Sequence, residues 1–148
     1  MKLTHRLILM FIGSFIIQYF LMPPIMVNSI KDITNNVGKF YTVIIMCLLM
    51  GTLDVIMFDQ RYQVISNNLY MLFISLIGLF TYLYRKQIAV NNKQYLEGMI
   101  EHHSMSIFTS EEILKKTNDY HIAKLAKNII QTQNDEIKMM MDLKTRIV

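Results

Sequence analysis

Two adjacent histidines lie among methionines in the C-terminal half of the chain. His102 and His103 follow Met99 by three and four residues, and Met105 comes three residues after His102. On a helix, residues three or four apart are neighbours, so a thioether can approach either imidazole. Thioether and imidazole together suit a soft monovalent metal ion, Cu(I) above all, whereas hard cations prefer oxygen ligands.

A second group of methionines follows one predicted helix later. Met139, Met140 and Met141 are consecutive, so they cover most of a helix circumference. Gln133 and Glu136, just before them, have groups that can orient a histidine from a neighbouring helix. A structural interpretation stays open, because methionine fills irregular cores and the two polar residues can make ordinary bridging or solvated contacts.

Two amphipathic helices are predicted to carry these residues, over 92–116 and 120–146, because apolar side chains recur there with helical period. Asn118 or Asp119 is expected to cap the second helix, and so short a link makes an antiparallel hairpin. The predicted inner face of the first helix contains Leu96, Ile100, His103, Ile107 and Leu114. That of the second contains Ile122, Leu125, Ala126, Ile129, Gln133, Ile137 and Met140.

Three apolar runs precede the hairpin, at residues 7–27, 40–58 and 69–84. Each is near the length that a bilayer span requires, and basic residues lie between them, as in loops of membrane proteins. No A-x-A cleavage site follows the first run, so an uncleaved span is expected there. We predict a multi-pass integral membrane region over residues 1–86, in contact with the lipid bilayer, and a hairpin domain over 91–148.

Composition narrows the function classes. The chain is 53% hydrophobic and only 18% charged, with a mean hydropathy of +0.30. No block of Lys and Arg resembles a nucleic-acid footprint, so nucleic acid is not an expected partner. H-E-x-x-H, phosphate-loop and G-x-S-x-G signatures are absent, as is the Glu-x-x-His of di-iron bundles. We therefore predict a protein that is not an enzyme and has no catalytic residue.

Asp54 is the unusual residue of the second apolar run. It shares one helix face with Met46, Met50 and Met57, and a carboxylate inside a membrane is by default a functional candidate. Such a face could pass a soft cation. The alternative, which we favour, is that Asp54 lies near the helix end and reaches interfacial water.

Two motifs resemble one known family. Residues 95–105 (YLEGMIEHHSM) resemble the GMIPHH signature of the domain of unknown function 305 (DUF305) family, and residues 123–140 resemble its second signature, LA-x-x-I-I-x-x-Q-x-x-E-I-x-x-M. The resemblance covers about residues 91–144. It is closest to the branch in which three apolar spans precede the domain.

The resemblance implies a ferritin-like helical fold and, from some relatives, copper binding in metal handling or tolerance. By position it implies that Met99, His102, His103 and Met140 are copper ligands, and more loosely Met105 and Met139. Two residues depart from the family pattern: Glu101 replaces a proline, which puts a charge beside the expected site, and Leu143 replaces a tryptophan.

The expected architecture is all-α: three transmembrane helices followed by a hairpin that forms half of a ferritin-like bundle. A hairpin alone would leave its apolar face wet, so we predict a homodimer through the C-terminal hairpin. The leading functional prediction is soft-metal binding. The alternative is a non-catalytic assembly module whose hairpin mediates oligomerisation or partner binding. Basic loop residues weakly favour a cytoplasmic hairpin, whereas the copper analogy favours the external side.

Overall fold

A computed structural model describes residues 3–147, which form helices and connecting segments with no β-strand in this range. The all-α class is therefore confirmed. The α-helices are α1 (Leu3–Ile16), α2 (Pro23–Met26), α3 (Val37–Tyr62), α4 (Asn67–Arg85), α5 (Asn92–Leu114) and α6 (Tyr120–Arg146). The chain forms two compact units. One contains the chain up to Leu21 and residues 37–89, and the other contains 22–36 and the chain from Val90 onward.

Three apolar helical segments are long enough to cross a membrane: Leu3–Met26, Val37–Tyr62 and Asn67–Arg85. Each extends a few residues beyond the apolar run that predicted it at one end or both, because polar residues at the ends of the runs continue the helix. In the first unit α3 packs against both α1 and α4. The first and third segments bury almost none of their surface within the protein, so their apolar side chains are exposed as lipid-facing ones would be.

The proline pair Pro23 and Pro24 distorts the first segment. A π-helical turn over Ile17–Leu21 comes immediately before Pro23 and Pro24, which occupy the first turn of α2. Proline lacks an N–H and its ring clashes with the carbonyl four residues earlier, so the regular α-helical pattern stops before it. A π-helical turn accommodates this local mismatch without ending the helical path.

In the second unit α5 and α6 form the predicted hairpin. Asp119 caps α6 by accepting hydrogen bonds from the amides of His121 at 2.7 Å and Ile122 at 3.0 Å. This side chain satisfies amide groups that lack partners in the first turn of a helix. Asn91 caps α5 in the same way through the amide of Gln94. Of the two residues that the sequence allowed as the cap of α6, Asp119 is therefore the one that caps it.

The core of the hairpin is apolar and small. Ile100, Ile107 and Ile137 form its buried cluster, with Ile130 and Met140 packed against it. Ile122 and Leu125 were predicted on the inner face, but in the structure Ile122 is 47% exposed and Leu125 is 60% exposed. The prediction was wrong for these two because one partner helix covers only one stripe of α6. That stripe passes through Ala126, which was also predicted on the inner face and is buried.

The segment between the first two apolar segments belongs to the second unit. Residues 28–36, here called the strap, lie along α5 and are hydrogen-bonded to it at several points. The sequence predicted only a short loop there. Ser104 is fully buried: its hydroxyl donates to Asp32 at 2.6 Å and accepts from the amide of Asn28 at 3.0 Å. The strap therefore covers a side of α5 that the hairpin contact does not.

Candidate metal site on the hairpin

His103 links the two helices of the hairpin. Its Nδ1 lies 2.8 Å from the carbonyl oxygen of Met99, and its Nε2 lies 2.8 Å from Oε2 of Glu136 on α6. A carbonyl oxygen can only accept, so Nδ1 carries a hydrogen and donates it to Met99. The side chain is nearly buried, with 9% of the residue exposed. His103 is therefore held on both sides of its ring.

The contact between Nε2 and Glu136 requires a proton between the two groups. Either a protonated His103 donates to the carboxylate, or a neutral His103 accepts from a protonated carboxyl. In both cases neither ring nitrogen keeps a free lone pair, which a metal ion requires. The contact predicted for Glu136 with a histidine is present, but it makes His103 an internal link of the hairpin rather than an available ligand.

Gln133, the other residue predicted to orient a histidine, has a different environment. Its side-chain oxygen is buried, and within residues 3–147 it has no hydrogen-bond partner. A buried acceptor without a partner costs free energy. The structure thus assigns the cross-hairpin hydrogen bond to Glu136 and leaves the carboxamide oxygen of Gln133 unsatisfied.

His102 is exposed, in contrast to its neighbour. The two imidazole rings lie 6.4 Å apart between centroids and are inclined at 68°, as adjacent residues on a helix point in different directions. Across the described part of the chain, no hydrogen bond involves the ring of His102. Met99 and Met105, one turn on either side, are both partly buried. These three side chains occupy neighbouring positions on α5, and of the three only His102 is exposed.

The methionines of α6 point in different directions. Met140 packs against the apolar core of the hairpin, whereas Met139 is 63% exposed. Consecutive side chains on a helix diverge by about 100°, so the two sulfurs do not meet at one point. The predicted ligand set is thereby divided among the accessible surface of α5, the hairpin interior and the outer surface of α6.

Metal sites made only of His, Cys, Asp and Glu are not formed in the described range. Residues 3–147 contain no group of three or more such side chains close enough to hold an ion. Zinc sites are built from these donors. The predicted ligand set adds thioether sulfur to imidazole, and thioether sulfur selects soft ions.

Glu101 does not face the histidines. Its carboxylate accepts from the amide of Thr34 in the strap at 2.9 Å, and only 5% of the residue is exposed. The charge that replaces the family's proline therefore binds the strap and does not lie beside His102. The sequence analysis missed this role, although Gly98, Glu101 and Ser104 recur every third residue and so mark a polar stripe on α5.

The carboxylate next to Glu136 in the sequence is ionised and bound to its own helix. A hydrogen bond from Gln131 at 2.8 Å lowers the pKa of Asp135, and the nearby Lys138 lowers it further. Asp135 is exposed and takes no part in the contact with His103. The only carboxylate that contacts the imidazole within the described residues is that of Glu136.

Asp54, the intramembrane candidate, is bound by an arginine in the first unit. Arg6 on α1 contacts both carboxylate oxygens of Asp54, through Nη2 and, at 3.1 Å, through Nε. The guanidinium also lies 5.9 Å from the ring centre of Phe58. Asp54 is 5% exposed, so burial and a fork-shaped partner together account for its position. Its carboxylate is therefore half of an ion pair that joins α1 to α3.

Comparison with known sequences relates the chain to one protein family. Residues 81–144 match the family model described as "Domain of unknown function (DUF305)". The chain belongs to the DUF305 family, and the resemblance carried by the two motifs is confirmed. It is 36% identical over 137 residues to "Uncharacterized protein L153" of Acanthamoeba polyphaga mimivirus, covering 93% of this chain and 90% of that protein. No solved structure matches.

Proposed function

We propose that the protein is an integral membrane protein whose three spans hold the DUF305 hairpin at one face of a bilayer. The strap lies between the first two apolar segments, and the hairpin follows the third. Three crossings put both on the same side of a membrane. The hydrogen bonds between the strap and α5 also require the strap and the hairpin to lie on one side of the membrane. If the second segment crosses the bilayer, the third must therefore cross it as well.

The hairpin binds a soft monovalent ion, Cu(I), on the accessible surface of α5 and takes part in copper handling or tolerance without catalysing a reaction. The supporting observation is the exposed imidazole of His102 with Met99 and Met105 one turn away on either side. An imidazole and thioethers are donors that Cu(I) prefers. When bound, the ion would be cargo held by these side chains. His103 and Met140 lie outside this set, and the predicted role of Met139 is the least supported.

Anaerobic titration of the full chain in mild detergent with Cu(I), against a coloured Cu(I) chelator, tests the proposal. We expect one ion per chain in the wild type and at least tenfold weaker binding in His102→Ala and in Met99→Ala/Met105→Ala. His121→Ala is the matched control, because His121 is an exposed histidine elsewhere on the hairpin. Equal binding by wild type and His102→Ala, or no binding by the wild type, would overturn it.

A second candidate function is assembly, with the hairpin as a half bundle of ferritin-like type that binds another copy. The specific observation is the link from His103 to Glu136, which stabilises the hairpin with its own side chains. A hairpin closed in this way does not require an ion to fold. Thermal unfolding with and without a Cu(I) chelator checks this point: equal midpoints support a metal-independent hairpin, and a lower midpoint with chelator contradicts it.

A further inference from the structure

The strap carries a large apolar side chain on its outer side. Ile30 is 75% exposed, whereas Asp32, two residues later, is 9% exposed and accepts a hydrogen bond from Ser104 of α5. Ile30–Asp32 form a single 3₁₀ turn, in which successive side chains diverge by about 120°. The turn that directs Asp32 toward α5 therefore directs Ile30 and Lys31 away from it.

The strap is hydrogen-bonded to α5 on both sides of this turn, so the outward direction of Ile30 is fixed by the fold. Before the turn, the amide of Ser29 donates to the hydroxyl of Ser104 at 3.3 Å. After it, the amide of Thr34 donates to the carboxylate of Glu101 at 2.9 Å. A rearrangement that buried Ile30 against α5 would break these bonds. A cover for Ile30 must therefore come from outside the second unit.

The position of the strap in the chain identifies the bilayer as that cover. The first apolar segment ends at Met26 and the second begins at Val37, four residues before Ile30 and seven after it. A chain extends by at most about 3.6 Å per residue, so Ile30 lies within roughly 15 Å of the end of the first segment. Ile25, at that end, is 67% exposed. Exposed apolar side chains thus continue along the chain from the segment into the strap.

The residue types on the outer side of the strap suit the headgroup layer of a membrane. An apolar side chain there can enter the boundary between headgroups and acyl chains. Lys31 is exposed beside Ile30, and the long stem of a lysine lets its ammonium group reach lipid phosphates. The exposed apolar residues of α6 lack this argument, because α5 separates that helix from the nearest apolar segment along the chain.

We propose that Ile30 and Lys31 anchor the strap in the headgroup layer of the bilayer that the neighbouring apolar segments cross. Ile30 enters the layer below the phosphates, and Lys31 binds a lipid phosphate. The strap side of the second unit then faces lipid, whereas α6 does not. This inference rests on the proposed membrane arrangement and is independent of metal binding.

Quenching by lipids tests the location of Ile30. The full chain with a bimane label on Ile30→Cys is placed in phosphatidylcholine liposomes that contain lipids with a nitroxide on the headgroup. We expect roughly threefold or stronger quenching than for Leu125→Cys, the matched control, which replaces a 60% exposed apolar residue of α6. The native Cys47 is fully buried, so the unsubstituted chain gives the background.

Two results of this measurement would overturn the proposal. One is equal quenching of the two labels, which would remove the distinction between the strap side and α6. The other is an Ile30→Cys label that the nitroxide lipid does not quench. If iodide in the water does not quench that label either, Ile30 is covered by protein instead of lipid.

Substitution tests whether Ile30 holds the strap at the membrane. A bimane label on Asn35→Cys, an exposed strap position, reports access of iodide from water. Adding Ile30→Asp should raise iodide quenching roughly twofold or more, because a carboxylate leaves the apolar layer and is repelled by lipid phosphates. Ile122→Asp is the matched control, since it makes the same change at an exposed position of α6. Iodide quenching that is the same with and without Ile30→Asp would count against the anchor.

Failure of the anchor is distinguishable from failure of the membrane arrangement. Labelling of the strap and α6 from opposite sides of sealed vesicles would exclude the three crossings themselves. Labelling of both from the same side, together with an unquenched Ile30→Cys label, would overturn the anchor alone.

Discussion

At the scale of residues, two adjacent histidines serve different purposes. His103 is buried between α5 and α6 with both ring nitrogens engaged, and His102 is exposed with its ring available. Their helix positions differ by about 100°, which is enough to put one ring in the hairpin and the other at the surface. The paired histidines of the family signature thus have one structural member and one candidate ligand.

This difference in burial predicts that alanine substitution of the two histidines lowers the free energy of unfolding by different amounts. His103→Ala should lower the free energy of unfolding by roughly 1–3 kcal/mol, because it removes a nearly buried side chain together with its hydrogen bonds to Met99 and Glu136. His102→Ala should change it by less than about 0.5 kcal/mol, as is usual for exposed positions. Chemical denaturation in detergent, followed by circular dichroism, measures both. A larger loss for His102→Ala than for His103→Ala would contradict the assignment.

At the scale of elements, α5 is the centre of the second unit, because α6 covers one side and the strap another. The strap contacts are polar and buried: Asp32 and Glu101 are 9% and 5% exposed. Polar groups at such sites are expensive to leave unpaired. Their pairing explains why a segment that resembles a connecting loop in sequence packs as part of the hairpin unit.

Removal of one strap contact tests this view. Ser104→Ala should cost roughly 1–3 kcal/mol, because the buried Asp32 loses a donor and the amides of Asn28 and Ser29 lose the hydroxyl that accepts from them. Hydrogen exchange at the amide of Ser29 should become faster, whereas the amide of Asn28 keeps the backbone carbonyl of Ser104 as an acceptor. Ser106→Ala, a partly buried serine on the same helix, is the control and should leave both measurements near wild type. Unchanged exchange in Ser104→Ala would be inconsistent with a docked strap.

The ion pair between α1 and α3 gives a second prediction at this scale. Arg6→Met should destabilise the detergent-solubilised protein by roughly 3–5 kcal/mol, because the buried Asp54 would lose its partner. The double variant Arg6→Met/Asp54→Leu should be clearly more stable than Arg6→Met alone, since no unpaired charge remains. Thermal unfolding of these variants provides the measurement, and Arg61→Met, at an exposed arginine, is the control. Additive losses in the double variant would argue against the pair.

At the scale of the whole molecule, the membrane arrangement can be tested by labelling. Asn35→Cys in the strap and Lys138→Cys on α6 should react with a membrane-impermeant maleimide from the same side of sealed vesicles. Asn67→Cys, at the first residue of the third apolar segment, should react only from the opposite side. Each site is exposed, and the buried Cys47 should not react. Labelling of the strap and α6 from opposite sides would exclude three crossings.

The sequence by itself determined the helices and their approximate ends. Hydrophobic periodicity and cap residues are local signals, so the predicted 120–146 helix matches α6 and the 92–116 helix differs from α5 only by its last two residues. The apolar runs likewise predicted the three long segments, because a span needs little more than length and composition. The DUF305 assignment also came from residues alone, through two motifs with fixed spacing.

Only the tertiary structure decided which polar groups meet. Helical spacing limits the direction of a side chain but not its partner on another element, so the sequence could not show that Arg6 binds Asp54 or that Glu101 binds the strap. It also could not show which of the two histidines is buried. Those choices depend on how helices distant in sequence pack. Buried polar groups follow the packing because each must find a partner where water is excluded.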